Sequence, residues 1–376
     1  MKALFFLLAA ALTCSQAAAA DAPAHPTLKP GAAAVDFSLP GVDGRTWSLR
    51  DFASSPVLVL VFTCNHCPTA QAYEGRLKQL AEDYRSRGVA LVAISPNSPA
   101  AVRLDELGYT DLGDDLEDMK IRARDARFNF PYLFDGDSEE VSKRYGPTTT
   151  PHVFIFDAAR TLQYVGRIDD SEREDRIQVR DARNAIDALL AGKTPAVRET
   201  RVFGCSTKWA DKTEANHRWR EKVAKEPVAL GTADAATLKA LRETKSGKVR
   251  LINVWATWCG PCVSEFDELI ETNLRFRHRD FELVTVAAQD PEDQPQVLKF
   301  LQKHSASTRN LIFATAEKYP LIEALDPDWN GALPHTLLVG PDGGILYRAT
   351  GEIDFLELRR KIVPALNAIT PWAGMK

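Results

Sequence analysis

The feature that most restricts the fold of this chain is a pattern that occurs twice. Each copy has a continuous apolar run, then a Cys-x-x-Cys motif that opens a helical segment, and much further on a Pro-His dipeptide. The first copy consists of Val57–Phe62, Cys64-Asn-His-Cys67 and Pro151, and the second of Val249–Trp255, Cys259-Gly-Pro-Cys262 and Pro334. Short apolar runs bounded by turn residues are typical of strands buried on both faces. The repetition therefore predicts two diverged copies of one strand–helix plan.

The length of the chain, 376 residues, suits two domains. We predict an α/β protein with two tandem domains, each with a central mixed sheet flanked by helices. The first is expected over residues 26–192 and the second over 228–376. Residues 193–227 have mixed charge and weak periodicity, so we expect a connector there, which contains Cys205. The hydrophobic fraction of 45% is ordinary for globular proteins, and the net charge of -4 gives no reason to expect a nucleic-acid partner.

Residues 1–20 have the pattern of a secretory signal peptide, with a positive charge followed by an apolar run at residues 3–12. That run is too short to span a bilayer, and cleavage is predicted after Ala20. A lipoprotein anchor at Cys14 is less favoured, because Thr13 is a poor residue before such a cleavage site. No later segment is apolar over a sufficient length, so we expect a periplasmic or secreted protein without stable membrane insertion.

Cleavage after residue 20 leaves five of the six cysteines, and four of these form the two Cys-x-x-Cys pairs. They are too few and too clustered for a structural disulfide framework. An oxidising compartment favours redox-active centres over zinc for such close pairs. At a helix start, unpaired N–H groups and the helix dipole stabilise a thiolate on the first cysteine, Cys64 or Cys259. Cys67 or Cys262, one turn further on, is then placed to resolve a mixed disulfide.

Prolines form the other recurring part of the pattern. Pro151 and Pro334 each lead into a predicted strand, and we expect both to follow cis peptide bonds and to face the cysteine pairs. A trans-proline that opens an ordinary strand is the alternative for either position alone, but its recurrence after a matching motif favours cis. Pro68 and Pro261 lie in the first turn of the predicted helices, where proline removes no intrahelical donor.

The segment Trp255-Ala-Thr-Trp258-Cys-Gly-Pro-Cys262, with Pro334 downstream, resembles the thioredoxin superfamily and most closely its exported TlpA/ResA-type reductases. The resemblance covers residues 228–366. Thioredoxin itself has a buried Asp where this chain has Asn253, whereas the exported branch has a Glu three residues after the second cysteine, which Glu265 matches. The resemblance implies that Glu265 handles protons during disulfide exchange. The alternative for Glu265 is a solvated helix residue.

The segments Phe62-Thr-Cys64-Asn-His-Cys67-Pro and Gly204-Cys205-Ser-Thr-Lys-Trp209 are similar to the redoxin or AhpC/TSA branch of the same superfamily, which includes peroxiredoxins. The resemblance covers residues 26–209 and makes Cys205 a candidate resolving cysteine for Cys64. A free or buried thiol is the alternative. Peroxiredoxins have a Thr three residues before the peroxidatic cysteine, but Val61 stands there for Cys64, and Cys64 itself stands there for Cys67. A thiol peroxidase with an antioxidant role, which the resemblance alone suggests, is thus kept as an alternative to thiol–disulfide exchange.

His66 stands directly before the second cysteine of the first motif. As a cation or hydrogen-bond donor it would stabilise a thiolate and raise the reduction potential of this pair, whereas Gly260-Pro261 offers no such charge. We therefore expect an exported thiol–disulfide oxidoreductase that acts in redox homeostasis. Electrons are expected to run from the Cys259/Cys262 pair to the Cys64/Cys67 pair and then to protein substrates. The resemblance implies a membrane thiol reductant as the electron donor.

Two further classes stay open. One is a copper-binding or metallochaperone role of the first domain, because Cys64, Cys67 and His152 are residue types that bind soft metals. Exported copper chaperones of this fold, however, usually separate their cysteines by three residues rather than two. The other is an adaptor role for the first domain, with only the second domain active. The expected oxidoreductase requires no cofactor and no bound metal.

Overall fold

The structure is a computed structural model that describes residues 25–243 and 245–372. The predicted signal peptide, with Cys14, lies outside the described residues. Each half of the chain forms an α/β unit in which helices flank one mixed sheet, as predicted. A search of the described residues for a helix long and apolar enough to cross a membrane finds none.

The first unit is built on a five-stranded sheet with the order β5-β4-β3-β7-β8. Its strands are β1 (Ser38–Pro40), β2 (Thr46–Ser48), β3 (Val57–Phe62), β4 (Val89–Ser95), β5 (Tyr132–Phe134), β6 (Thr149–Thr150), β7 (His152–Phe156), β8 (Leu162–Gly166) and β9 (Cys205–Ser206). Its helices are α1 (Pro68–Arg85), α2 (Leu116–Asp125), α3 (Glu140–Tyr145) and α4 (Asp181–Leu190), and α5 (Thr213–Ala224) follows. Two small antiparallel pairs, β1-β2 and β6-β9, lie outside the main sheet.

The second unit is built on a six-stranded sheet with the order β10-β13-β12-β11-β14-β15. Its strands are β10 (Gly231–Ala233), β11 (Val249–Trp255), β12 (Phe281–Ala287), β13 (Arg309–Phe313), β14 (His335–Val339) and β15 (Ile345–Thr350). Its helices are α6 (Ala235–Glu243), α7 (Gly260–Phe276), α8 (Gln294–Lys303), α9 (Lys318–Leu325) and α10 (Phe355–Ile369).

The two central strands hold equivalent positions. Every residue of β3 and of β11 is buried, because helices cover both faces of each sheet. Each strand runs parallel to one neighbour and antiparallel to the strand that follows a Pro-His dipeptide. The register pairs Phe62 with His152 and Val254 with His335. This topology brings each Pro-His dipeptide beside the strand end from which the Cys-x-x-Cys motif emerges.

The first part of the predicted connector belongs to the first unit, which corrects the expected boundary at residue 192. Glu199 forms a bridge with Val165, and β9 pairs with β6. The backbone N–H of Lys208 donates to Asn97 Oδ1 at 2.9 Å. The first unit therefore extends to about residue 212. Sequence analysis missed this because a strand of two residues carries no periodic pattern.

The two units meet through a polar segment of the first unit, residues 97–115, which directly precedes α2. Arg279 at the end of α7 donates to the Gly108 carbonyl at 2.9 Å, and its guanidinium lies 4.2 Å from the Tyr109 ring centroid. Arg359 on α10 donates to the Asp111 carbonyl at 3.0 Å. Gly108, Tyr109 and Asp111 of this segment thus form a contact surface for the second unit.

Candidate redox sites

The second Cys-x-x-Cys motif closes a disulfide at the start of α7. Cys259 is the N-cap residue of α7, and its sulfur is bonded to Cys262 at 2.08 Å. The Cys259 sulfur also accepts the Cys262 backbone N–H at 3.3 Å. The helix begins where the sequence predicts, with Pro261 in its first turn. Free N–H groups at this helix start are suited to stabilise a Cys259 thiolate after reduction.

The surroundings of this disulfide combine an exposed and a buried indole. Trp258 is 68% exposed, whereas Trp255 is fully buried and packs on Phe266 with ring centroids 4.7 Å apart. The Leu333–Pro334 peptide bond is cis, which confirms the expected geometry. The motif therefore presents an apolar side chain to solvent next to the sulfurs, above a rigid aromatic core.

Glu265 lies on α7, one turn beyond Cys262, and is half-buried. Its Oε2 accepts the Ile353 backbone N–H at 3.0 Å, while Oε1 is buried without a hydrogen-bond partner among the described residues. Burial raises the pKa of Glu265, although the Ile353 N–H and the Asn253 side chain act to lower it. A carboxyl group with a raised pKa and a free oxygen is suited to proton transfer. The proton-handling role of Glu265 stays a prediction.

The first motif contains unpaired thiols, and both are buried. The Cys64 sulfur lies 3.1 Å from Thr150 Oγ1, and the Cys67 sulfur lies 3.3 Å from the Thr150 carbonyl. Cys67 is the N-cap residue of α1, and its sulfur accepts the backbone N–H groups of Ala70 and Cys205, each at 3.4 Å. The peptide bond that follows Thr150 is cis, so Pro151 also has the expected geometry.

Cys64, the expected nucleophile of this pair, is buried rather than exposed, and the pKa values of the two thiols shift in opposite directions; the nucleophilic role of Cys64 stays a prediction. Cys64 is only 3% exposed, and burial raises its pKa well above the ordinary value, with further increases from Cys67 and the Asp114 charge. Burial also acts to raise the pKa of Cys67. Hydrogen bonds from Cys205, Cys64 and the α1 backbone, with the charge of His66, outweigh burial and lower the Cys67 pKa well below its ordinary value.

His66 forms a buried ion pair that sequence analysis did not identify. Its Nδ1 lies 2.5 Å from Asp114 Oδ2, and the side chains are only 2% and 0% exposed. Asp114 also accepts the backbone N–H groups of Asn65 and His66 and the Asn97 amide. Burial acts to lower the pKa of His66, but the Asp114 charge and hydrogen bond raise it overall. The imidazolium form that the sequence suggested for His66 therefore has a specific partner.

The residues that could bind copper are not the three that the sequence suggested. Among the described residues, ligand atoms of Cys64, His66 and Asp114 lie within 4.8 Å of one another, and His152 is not in this group. His152 Nδ1 instead accepts the Thr148 backbone N–H at 3.3 Å, and burial lowers the His152 pKa to about 3. The Asp114 oxygens already accept hydrogen bonds from both backbone and side-chain donors. The geometry suits a hydrogen-bonded ion pair better than a metal site.

These features define a class of protein. Each unit has a central mixed sheet, a Cys-x-x-Cys motif at the start of a helix, and a cis-proline before the antiparallel strand, which is the arrangement of thioredoxin-like redox domains. The model of the AhpC/TSA family matches residues 30–165, and the model of the Redoxin family matches residues 224–358.

Individual proteins match one half of this chain each. A solved hypothetical protein from Sinorhizobium meliloti 1021 is 34% identical, covers 49% of this chain and 97% of its own, and has a TM-score of 0.44. The thiol:disulfide interchange protein CycY of Rhizobium leguminosarum bv. viciae is 32% identical over 150 residues, which are 38% of this chain and 70% of CycY. The thiol:disulfide interchange protein HelX of Rhodobacter capsulatus is 31% identical over 125 residues, 33% of this chain and 64% of HelX.

The chain belongs to the thioredoxin superfamily, as an AhpC/TSA-type domain followed by a redoxin domain, and is related to its thiol–disulfide oxidoreductases. The residues around the two motifs predicted this superfamily, and the second domain, expected to be of the TlpA/ResA type, matches the Redoxin model.

Proposed function

We propose that this protein is an exported thiol–disulfide oxidoreductase with two dithiol/disulfide centres, Cys64/Cys67 and Cys259/Cys262. The observation that carries the proposal is that both motifs start a helix beside a cis-proline. A helix start stabilises a thiolate, and a second cysteine one turn away can displace a mixed disulfide. Structural zinc or an isolated disulfide would not require this repeated geometry.

At the second centre, the reaction begins from reduced cysteines. The Cys259 thiolate attacks a substrate disulfide, a bond forms between Cys259 and one substrate sulfur, and the other substrate sulfur leaves as a thiolate. Cys262, after losing its proton to Glu265, then attacks the Cys259 sulfur and releases the first substrate sulfur. The substrate has gained two electrons, and the Cys259–Cys262 disulfide has formed. Exposed Trp258 offers the substrate an apolar contact.

Insulin reduction with dithiothreitol as donor tests this activity. The wild-type chain should accelerate precipitation of the insulin chains, and Cys259→Ser should lose most of this acceleration. Cys64→Ser/Cys67→Ser measures what the second centre does alone. An equal rate in wild type and in a chain without any of the four motif cysteines would overturn the proposal.

We further propose that electrons pass from Cys259/Cys262 to Cys64/Cys67. Support comes from the first pair, where the reduced form gains hydrogen bonds to the Cys67 sulfur and the nearby charge of His66. Stabilising a reduced pair raises its reduction potential. Redox titration of two double variants, each retaining one pair, measures the two potentials. A lower potential for the Cys64/Cys67 pair would reverse the proposed direction.

A membrane thiol reductant is proposed as the donor, and the compartment as the periplasm or the exterior. The support is the signal-peptide pattern at residues 1–20. Cell fractionation should recover the chain, shortened after Ala20, outside the cytoplasm. In such cells Cys262→Ser should trap mixed disulfides with the donor, which Cys259→Ser cannot form. Recovery of the unshortened chain in the cytoplasm, or the same covalent complexes from both variants, would contradict the assignment.

A thiol peroxidase is the second candidate, favoured by the AhpC/TSA match over residues 30–165. In that reaction a thiolate attacks one peroxide oxygen and becomes a sulfenic acid, the O–O bond breaks, and the other oxygen leaves as hydroxide, which takes up a proton to become water. A second thiol then condenses with it to form a disulfide and a second water. Hydrogen peroxide consumption by Cys259→Ser with dithiothreitol tests it. If Cys259→Ser consumes hydrogen peroxide, and the consumption disappears when Cys64→Ser/Cys67→Ser is added, the result would support peroxidase activity in the first domain.

A further inference from the structure

Cys205 is the one cysteine of the described residues outside the two Cys-x-x-Cys motifs, and it lies against the first of them. Strand β9 pairs with β6, which sets Cys205 directly opposite Thr150. The Cys205 backbone N–H donates to the Cys67 sulfur at 3.4 Å, and the Cys205 side chain packs against the cluster of Cys64 and Cys67. Cys67 therefore contacts both Cys64 and Cys205, although 138 residues separate it from Cys205.

The backbone around Cys205 is built for this close approach. Gly204 has φ of +140°, a value that L side chains rarely adopt, and a Cβ there would lie 2.1 Å from the Thr150 carbonyl oxygen. Thr207 on the other side donates from Oγ1 to the Pro147 carbonyl at 2.7 Å, within buried surroundings. Glycine before Cys205 and an anchored threonine after it thus hold its thiol against the motif.

We propose that Cys67 is shared between two disulfides, Cys64–Cys67 and Cys67–Cys205, so that the first centre is a three-thiol centre. The proposal rests on the proposed thiol–disulfide function and deepens it. In the oxidised centre, the Cys205 thiolate attacks the Cys67 sulfur of the Cys64–Cys67 disulfide. The Cys67–Cys205 bond forms, the Cys64–Cys67 bond breaks, and Cys64 leaves as a thiolate that takes the proton lost by Cys205.

No electrons enter or leave in this step, because one disulfide replaces another. Its consequence is that Cys64 becomes a free thiol while the centre keeps its oxidising disulfide. In the reduced centre, the hydrogen bond to Cys67 and burial raise the pKa of Cys205, so Cys205 keeps its proton. In the Cys64–Cys67 disulfide Cys67 carries no charge, and Lys208, which acts to lower the Cys205 pKa, stays in place. Oxidation of the first pair therefore removes the Cys67 charge and hydrogen bond that raise the Cys205 pKa, while burial and the Glu106 charge still raise this pKa.

Peptide mapping of the full chain tests the proposal. The chain is equilibrated in glutathione buffers, alkylated and digested with trypsin, which yields one peptide with Cys64 and Cys67 (51–76) and another with Cys205 (202–208). Wild type should contain both the internal disulfide of peptide 51–76 and its cross-link to 202–208. Cys64→Ser should give the cross-link in nearly all molecules, and Cys67→Ser should lose it at least tenfold.

Gly204→Ala should reduce the cross-link of the wild-type chain about tenfold, because the new Cβ displaces β9 from Thr150. Gly192→Ala is the matched control, since Gly192 also has positive φ, +69°, but a Cβ there meets nothing within 4 Å. Two results would overturn the shared role of Cys67. One is that Cys67 and Cys205 both stay free thiols in Cys64→Ser. The other is that the cross-link survives in Cys67→Ser and disappears in Cys64→Ser. Peptide mapping of the wild-type chain does not depend on the folding of any variant.

Insulin reduction is measured separately from the peptide mapping. A chain that does not reduce insulin refutes the proposed function, while the mapping still decides whether the three-thiol centre exists.

Discussion

Replacing Asp114 with Asn is expected to destabilise the first domain and weaken the Cys67 thiolate. Asp114 is fully buried and receives hydrogen bonds from the backbone of Asn65, the backbone and ring of His66, and the Asn97 amide. Asn keeps the shape but retains one oxygen, so its NH₂ group faces two of these donors. Removing one partner of a buried ion pair destabilises by about 3–5 kcal/mol, because the other charge is left unpaired.

The size of this loss should depend on pH. Burial acts to lower the pKa of His66, but the Asp114 charge and hydrogen bond together with the Cys67 charge raise it overall, so the contribution of His66 is present below the ordinary value of 6.5 and lost as pH rises through the raised value. Burial acts to raise the pKa of Asp114, but the His66 charge and the hydrogen bonds from His66 and Asn97 together lower it, so the contribution of Asp114 is present above 3.8 and lost as pH falls through the lowered value. The difference between wild type and variant should therefore be greatest between about pH 4 and 6.5.

Urea unfolding of the two chains across this pH range measures the difference in the free energy of unfolding. Asp115→Asn is the matched control, because Asp115 is exposed, caps α2, and Asn caps a helix equally well. Its effect should stay below about 0.5 kcal/mol. The thiolate absorbance should also show a higher pKa for Cys67 in Asp114→Asn. A loss below about 1 kcal/mol at pH 5.5, with an unchanged thiolate titration, would refute the reasoning.

Three further outcomes are expected. Trp258→Ala should change the free energy of unfolding by less than about 0.5 kcal/mol yet raise KM for insulin, because Trp258 is 68% exposed; an unchanged KM would contradict its role in substrate contact. Trp255→Ala should instead cost about 3–5 kcal/mol, measured by thermal unfolding, because Trp255 is fully buried. Glu265→Gln should slow insulin reduction and remove the inflection that the raised pKa of Glu265 places in the pH–rate profile. The same inflection in the Gln variant would assign it to another group.

Local sequence patterns were sufficient for the parts of the fold that depend on neighbouring residues. The apolar runs that became β3 and β11 need only burial on both faces, and the helices after them carry a proline in the first turn. The cis geometry of Pro151 and Pro334 followed from recurrence after a matching motif. The positions of the four motif cysteines at helix starts were therefore predictable.

Only the tertiary structure showed which groups surround the cysteines of the first motif. Asp114 lies 48 residues from His66, and Cys205 lies 138 residues from Cys67, in segments whose short strands and turns carry no periodic pattern. The thiolate was expected on Cys64 because a helix start favours the first cysteine. Donors from distant parts of the chain instead converge on Cys67, and burial disfavours charge on Cys64. A sequence pattern reports local geometry, whereas the pKa of a buried thiol depends on every charge and donor that folding brings to it.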